Sequence, residues 1–194
     1  DRVYDGRLLP LVDSVLSHDD SDLFIVLHTM GNHWDYSQRY PRAFDHFQPS
    51  GYTEDINPPH AGVREALLNS YDNSIAYADH IIDSVITMVQ AEEGTSAVTF
   101  ISDHGEDLFD ADPGKIDFHF RPSAATLRVP LFMWSSESYK KMFPLKWRHL
   151  ERNARSKVGA GNLFHTLIDV ANLCMAAFDS TRSLAHPAYT PGAQ

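Results

Sequence analysis

Two periodicities of apolar residues run along the chain and predict different elements. Apolar side chains recur at helical spacing over residues 6–18 and 61–92, which predicts one amphipathic helix in each range. Short, mostly unbroken apolar runs cover residues 23–28, 97–102 and 129–134. Runs of this length between turn-forming residues are typical of strands buried in a parallel sheet.

The segments between these runs complete the pattern. Residues 34–60 are aromatic, proline-rich and polar, which favours a long surface loop, and a further apolar helix is predicted over residues 163–173. Helices and strands therefore alternate along the chain. This order predicts an α/β fold, a three-layer sandwich with a largely parallel sheet. Since no internal repeat or linker divides the sequence, we expect one domain or a large part of one.

Composition narrows the classes of function. The chain has 194 residues, of which 43% are apolar, as is usual for an ordered globular protein. Its net charge of −10 argues against a nucleic-acid partner, because phosphate backbones are bound by an excess of Lys and Arg. Cys174 is the single cysteine, so no internal disulfide can form. No apolar run reaches the ~18 residues that predict a membrane span. Because the chain does not begin with Met, we expect a trimmed part of a longer protein.

Metal-competent side chains follow the apolar run at 97–102. Asp103 and His104 come directly after it, and Gly105 allows a sharp turn. A carboxylate beside an imidazole suits Zn²⁺ or Mn²⁺. In open α/β sheets, ligands bind just beyond the carboxyl ends of the strands, where these residues are expected. The alternative is a simple turn in which Asp103 caps the next segment and His104 is a surface residue.

Further histidines are candidates for the same site. His28 and His33 flank the turn after the first predicted strand, and His119 lies on a Pro- and Gly-containing excursion beyond His104. Because both loops are predicted to leave the same edge of one sheet, we expect His33, His104 and His119 to line one pocket with Asp103 at its base. The alternative is a histidine-rich surface loop and a solvent-exposed His119.

Several short stretches occur in the order found in one known family. They are His28-Thr29-Met30-Gly31-Asn32-His33, Arg39-Tyr40-Pro41 with Phe44 and Phe47, Asn69-Ser70-Tyr71-Asp72-Asn73, Ser102-Asp103-His104-Gly105-Glu106 and Asn162-Leu163-Phe164-His165-Thr166. With these stretches the sequence resembles the lipid A phosphoethanolamine transferases of the alkaline-phosphatase/sulfatase superfamily. The Asp-His-Gly-Glu stretch is shared with sulfatases and lipoteichoic acid synthases. The His-x-Met-Gly-Asn-His and Tyr-Asp-Asn stretches narrow the resemblance to the transferases.

The resemblance implies an alkaline-phosphatase/sulfatase-like fold and roles for five residues. Asp103 and His104 would be two ligands of the catalytic Zn²⁺, with Mn²⁺ as the alternative metal. His33 and His119 would face the phosphoryl group or a second metal ion. His28 would be a nearby contact.

The resemblance also implies an activity and a place in a larger protein. Family members transfer phosphoethanolamine from phosphatidylethanolamine to lipid A or another cell-envelope glycan, through a phosphorylated threonine. They are inner-membrane proteins with this domain in the periplasm. Residues 1–194 would be the C-terminal portion of such a catalytic domain. The membrane helices, the nucleophilic Thr and one zinc-ligating Glu would lie upstream, so we expect no nucleophile within the chain and negligible activity from the chain alone.

The sequence departs from the family pattern at one position, and two alternative functions are compatible with it. The family usually has Gly after the position of His119, and Phe120 is expected to narrow the pocket. A sulfatase or phosphodiesterase-type hydrolase of the same superfamily would share the metal-binding stretch and differ in its nucleophile. A non-catalytic scaffold would keep the fold and bind glycans or protein partners without needing zinc.

A basic segment lies towards the end of the chain. Seven of its 16 Lys and Arg residues fall within residues 140–157, where they alternate with aromatic and aliphatic side chains. In a membrane-tethered enzyme such a segment suits anionic headgroups or the phosphates of lipid A. The alternative is an ordinary solvated helix face.

Overall fold

The computed structural model describes residues 2–18 and 21–192. These residues form two compact units. The first contains the described residues up to 93 together with 98–134, and the second contains 94–97 together with the described residues from 135 onwards. None of the helices in the described ranges is both long enough and apolar enough to cross a bilayer.

The first unit is organised around one long helix. Helix α1 covers Leu9–His18 after a 3₁₀ turn at Asp5–Leu8, and helix α2 covers Arg64–Ala91 after a 3₁₀ turn at Ala61–Val63. A single turn, α3, covers Ala124–Leu127. Both long helices confirm the prediction from apolar periodicity. The buried positions of α2 recur every three or four residues: Ala66, Leu67, Ser70, Asn73, Ser74, Tyr77, Ile81 and Val85.

Aromatic side chains from the predicted loop over residues 34–60 pack against α2. Tyr36 forms a buried cluster with Leu67, and Tyr40 forms a second one with Tyr77. Within the loop the only regular elements are 3₁₀ turns at Tyr36–Gln38 and Arg42–Phe44. The segment is therefore a loop, as predicted, but its tyrosines form the core of this unit rather than its surface.

Two of the three predicted strands form. Strand β1 covers Ala97–Ile101 and strand β2 covers Leu131–Ser135. The strand predicted at 23–28 is wrong, because this segment has no regular secondary structure. Its Phe24 and Val26 side chains are 75% and 73% exposed. A strand needs a hydrogen-bonded neighbour, and the sheet in the described ranges contains β1 and β2 alone.

The two strands pair antiparallel. The Ser102 N–H donates to the Pro130 carbonyl at 3.4 Å, just beyond the two strands. The Phe100 and Phe132 rings stack with their centroids 5.5 Å apart. Ser102 is thus opposite Pro130, and Phe100 is opposite Phe132. Residue numbers fall along one strand as they rise along the other, so the strands are antiparallel. This pair therefore does not show the parallel strand order that the sequence predicted for most of the sheet.

The second unit is helical. Its helices are α4 at Glu137–Met142, α5 at Pro144–Asn153 and α6 at Gly161–Val170. The last of these overlaps the helix predicted over 163–173. The Tyr139 hydroxyl donates to the Val170 carbonyl at 2.8 Å, which joins α4 to the end of α6. The Asn153 amide donates to the Leu184 carbonyl at 2.9 Å, which joins α5 to the C-terminal segment.

Candidate metal centre

The chain turns sharply after β1. The Ser102 hydroxyl donates to the His104 carbonyl at 2.7 Å, and the Gly105 N–H donates to the Thr126 carbonyl at 2.9 Å. A Cβ atom at position 105 would lie 2.0 Å from the Ala125 carbonyl oxygen, so only Gly fits at this close approach. The turn directs the side chains of His104 and Glu106 into the same region.

The excursion that follows brings His119 back to this turn. Asp107 and Phe118 form an isolated antiparallel bridge, with N–H to carbonyl distances of 2.8 and 3.1 Å. His119 is the next residue, and its Nδ1 lies 3.3 Å from Oε1 of Glu106. Its ring centroid is 4.3 Å from that of His104. The structure therefore brings His104 and His119 together, as expected from the sequence.

The loop that carries His33 is held by three other parts of the first unit. The Asp5 carboxylate accepts hydrogen bonds from the N–H groups of Met30 and Gly31, at 3.0 and 2.8 Å. The Asn32 amide donates to the Ser74 hydroxyl on α2 at 2.7 Å, and Arg39 donates to the His33 carbonyl at 2.8 Å. Within this support, the His33 ring centroid lies 6.3 Å from that of His119.

Backbone contacts fix the ring orientation of two of the histidines. Nδ1 of His104 lies 3.0 Å from the Gly105 carbonyl oxygen, and Nδ1 of His33 lies 2.5 Å from the Trp34 carbonyl oxygen. A carbonyl oxygen only accepts, so Nδ1 is the donor in each ring. Nε2 then carries the free lone pair of the neutral imidazole. This is the arrangement that metal-ligating histidines adopt in proteins.

Glu106 is the buried carboxylate of the site. Its side chain is 5% exposed, and Oε2 has no hydrogen-bond partner among the described residues. The buried Tyr36 hydroxyl nearby also lacks one. Burial, followed by the negative charge of Glu106, raises the pKa of Tyr36 well above its usual range. The nearby Tyr36 hydroxyl, a proton, a water molecule or a cation could satisfy this buried carboxylate oxygen.

These groups fit a metal ion. One ligand atom each from His104, Glu106 and His119 lies within 4.8 Å of the others. Two imidazoles and one carboxylate are a ligand set known from catalytic zinc sites, in which three protein ligands leave a fourth position open. Ligand atoms around tetrahedral Zn²⁺ lie roughly 3.4 Å apart at bond lengths of roughly 2.1 Å. Small side-chain rotations would therefore close the cluster.

One predicted site residue lies differently from the expectation. Asp103 is not at the base of the cluster: its side chain is 86% exposed, with Oδ2 3.8 Å from Nε2 of His104. The reason is local, because Oδ1 accepts the His104 N–H at 2.9 Å and turns the carboxylate towards its own backbone. His28 is exposed. Phe120 is also exposed, and its ring centroid lies 4.9 Å from that of His119.

Glu106 was not among the candidate site residues named from the sequence. It stands in the quoted Ser102–Glu106 stretch, two residues after His104. The signal was its spacing: residues on either side of a glycine turn can direct their side chains to the same point. The sequence did not reveal that the turn would bury the Glu106 side chain and leave that of Asp103 exposed.

The comparisons with known proteins show the family of this chain. The model of the sulfatase family matches residues 1–173. The chain is 30% identical over 190 residues to the phosphoethanolamine transferase EptC of Escherichia coli O18:K1:H7, covering 97% of this chain and 32% of the relative. It is 36% identical over 124 residues to the Kdo(2)-lipid A phosphoethanolamine 7''-transferase of E. coli K12, covering 62% of this chain and 20% of the relative. The chain thus spans a third or less of these relatives.

Solved structures give the same assignment. The C-terminal periplasmic domain of E. coli EptC, in complex with Zn, superposes with a TM-score of 0.84 at 28% identity, covering 98% of this chain and 52% of that one. The integral membrane lipooligosaccharide phosphoethanolamine transferase A of Neisseria meningitidis gives 0.81 at 27% identity, covering 93% and 34%. These likenesses confirm the predicted α/β, sulfatase-like partial domain. The chain belongs to the sulfatase family, and the relatives it matches there are phosphoethanolamine transferases.

Proposed function

We propose that the chain is the C-terminal part of the catalytic domain of a metal-dependent phosphoethanolamine transferase. The donor is phosphatidylethanolamine, and the acceptor is lipid A or another cell-envelope glycan. The whole protein is held in the inner membrane with this domain in the periplasm. The observation that carries the proposal is the cluster of His104, Glu106 and His119, whose ligand atoms lie within 4.8 Å of one another in a chain with transferase relatives.

The residues of the cluster have separable roles in this proposal. His104 would hold the metal through Nε2, because its Nδ1–H donates to the Gly105 carbonyl. Asp103 is the second metal ligand implied by the family resemblance, and the geometry adds Glu106. His119, whose ring reaches the same cluster, faces the phosphoryl group or a second metal ion. Zinc, or manganese in its place, would supply a Lewis acid that stabilises negative charge on the phosphoryl group.

His33 and His119 contact the phosphoryl group on the side opposite the metal ion. Nδ1 of His33 is held by the Trp34 carbonyl, which leaves Nε2 to donate to a phosphoryl oxygen when the ring is protonated. Such donors stabilise the charge that develops in the transition state of phosphoryl transfer. With the rings of His33 and His119 6.3 Å apart, one phosphoryl group can contact both. His28, which is exposed, is a peripheral contact for the headgroup in this proposal.

The activity assay uses the natural protein that carries these 194 residues, with any segments that flank it. Labelled phosphatidylethanolamine and lipid A are the substrates, and the product is lipid A that has gained phosphoethanolamine, detected by mass spectrometry. We expect this product from the wild type and not from His104→Ala. His46→Ala is the matched control, because His46 is exposed and lies outside the cluster.

The same preparation distinguishes the competing hydrolases. Release of sulfate from an aryl sulfate, or release of phosphoethanolamine to water without transfer, would assign the chain to a sulfatase or a phosphodiesterase. A wild type with no turnover and no zinc in the purified protein would favour a scaffold.

A further inference from the structure

Positive charge is concentrated in one segment of the second unit. Residues 137–157 contain seven Lys or Arg and two Glu, a net charge of +5, in a chain whose net charge is −10. The segment consists of α4, α5 and the turn after α5. The rest of the chain is correspondingly acidic. A local surface of opposite sign to the rest of a protein attracts an anionic partner.

Some of these cations have internal partners. Lys140 lies 2.7 Å from the Glu137 carboxylate. Lys146 lies 2.8 Å from the Asp169 carboxylate, and it also donates to the Asn172 side chain at 2.7 Å. Lys146 therefore attaches α5 to the end of α6. The side of α5 that carries Lys146 is the side that packs on the unit.

A different side of α5 faces solvent. Leu145, Arg148 and Arg152 are spaced by three and four residues, so they share one side of the helix. All three are exposed, Leu145 by 63%. Within residues 2–18 and 21–192, neither Arg148 nor Arg152 is in an ion pair or a side-chain hydrogen bond, and the same holds for the exposed Arg155 beyond the helix. These arginines are available to a partner.

Exposed apolar side chains accompany these arginines. Leu145 lies about one turn before Arg148 in α5, and Met142, at the end of α4, is 62% exposed. Protein surfaces that lie on a bilayer combine large apolar side chains with unpaired cations. The cations bind the headgroups, and the apolar side chains enter the boundary of the acyl chains. A nucleic-acid backbone would form ionic contacts with the arginines, but it has no apolar surface for Leu145 and Met142 to contact.

We propose that this basic face, formed by Met142, Leu145, Arg148, Arg152 and Arg155, docks on the anionic phospholipid headgroups of a bilayer. The attraction is the sum of arginine–phosphate contacts and shallow insertion of two aliphatic side chains. The inference rests on the charge and exposure of the second unit. It does not depend on the proposed transfer activity, which is assigned to residues of the first unit.

The test is co-sedimentation of the 194-residue chain with vesicles. Vesicles of phosphatidylcholine alone are compared with vesicles containing about one third phosphatidylglycerol, at ionic strengths of about 0.1 and 1 M. We expect binding to the anionic vesicles at low salt, and loss of binding at high salt or with the neutral lipid. Each cation near the surface contributes about a fivefold preference. The double variant Arg148→Gln/Arg152→Gln should therefore bind about 25-fold more weakly, and Leu145→Ser should lose binding by about tenfold.

The matched control is Arg42→Gln/Arg128→Gln, which makes the same change in net charge at two exposed arginines outside the basic face. We expect it to bind as the wild type does. Circular dichroism and thermal melting verify that every variant is folded. The proposal is overturned if the wild type does not bind anionic vesicles, or if the control loses as much affinity as the face variant. It is equally overturned if the chain binds single-stranded RNA as tightly as the anionic vesicles and Leu145→Ser does not change the affinity for either.

Discussion

Nδ1 of His119 lies 3.3 Å from the Glu106 carboxylate, although the two residues are separated by the whole excursion after β1. The bridge between Asp107 and Phe118 produces this contact, because it pairs the residue after Glu106 with the residue before His119. The buried carboxylate thereby orients an imidazole that sequence reasoning expected at the site. The contact makes Glu106 and His119 a structural pair within the candidate site.

The first prediction concerns zinc. We expect the chain to bind Zn²⁺ weakly, and His104→Ala to weaken this binding by at least about tenfold, since loss of even a group that orients a ligand has that effect. Glu106→Gln, which removes the charge and keeps the shape, should also weaken binding. Isothermal titration with zinc measures each affinity, with His46→Ala as the control. Tight zinc binding that is unchanged in His104→Ala would assign the metal to another site.

The second prediction concerns turnover. In the natural protein that carries this chain, His33→Ala and His119→Ala should each lower kcat by about 100-fold, because each removes a donor for the charge of the transition state. The melting temperature should change by only a few degrees, because neither side chain is part of the buried core. His28→Ala, at an exposed position, should have a smaller effect. Turnover within about twofold of wild type for both His33→Ala and His119→Ala would remove them from the site.

The third prediction concerns the packing of the tyrosine-rich loop. The buried Asn73 side chain on α2 accepts from the N–H groups of His46 and Phe47, both at 2.9 Å, and donates to the Phe47 carbonyl at 3.0 Å. Asn73→Ala leaves these groups unsatisfied and should lower the free energy of unfolding by about 3 kcal/mol.

Asn69→Ala is the matched comparison for this effect. Asn69 lies one turn earlier on the same helix and makes a single hydrogen bond, to the Pro49 carbonyl at 2.8 Å. Its replacement should cost about 1 kcal/mol. Urea denaturation of both variants gives the two values. Equal losses would mean that the Asn73 bonds to the loop do not stabilise it beyond one ordinary hydrogen bond.

The fourth prediction concerns alkaline pH. Burial, with the negative charge of Asp169 in addition, raises the pKa of Tyr139 to about 12. The unfolded chain has a tyrosine pKa of about 10. A phenol with a raised folded-state pKa contributes stability that is complete below the unfolded value and is lost as the pH rises towards the folded value. The free energy of unfolding should therefore be level around pH 8 and fall between about pH 10 and 12.

Tyr139→Phe separates this contribution from that of the other tyrosines. The pKa values of several others are also raised, chiefly by burial: Tyr36, Tyr40, Tyr52, Tyr71, Tyr77 and Tyr189. The variant should thus show a shallower decline above pH 10 and not a flat profile. It should also lose about 1 kcal/mol at neutral pH, because the Val170 carbonyl loses its donor. An unchanged slope would show that Tyr139 ionises equally well in both states.

The elements that the sequence predicted well are those whose signal is local. The apolar periodicity of α1 and α2 lies within each helix, and the apolar runs of β1 and β2 lie between turn-forming residues. The short stretches quoted above, Ser102–Glu106 among them, likewise identified by resemblance the superfamily that the sulfatase match confirms. In each case a short segment carries the information, because backbone propensity and side-chain period act over a few residues.

Tertiary structure alone decided the rest. Residues 23–28 have the composition of a strand, but strand formation depends on a partner elsewhere in the chain, and the described residues provide none. The burial of Glu106 beside His119, while Asp103 stays exposed, depends on the close approach of Gly105 to Ala125 and on the bridge after it. Both are contacts between segments distant along the chain. Such contacts leave no periodicity in the sequence, since they are set by how the backbone packs in space.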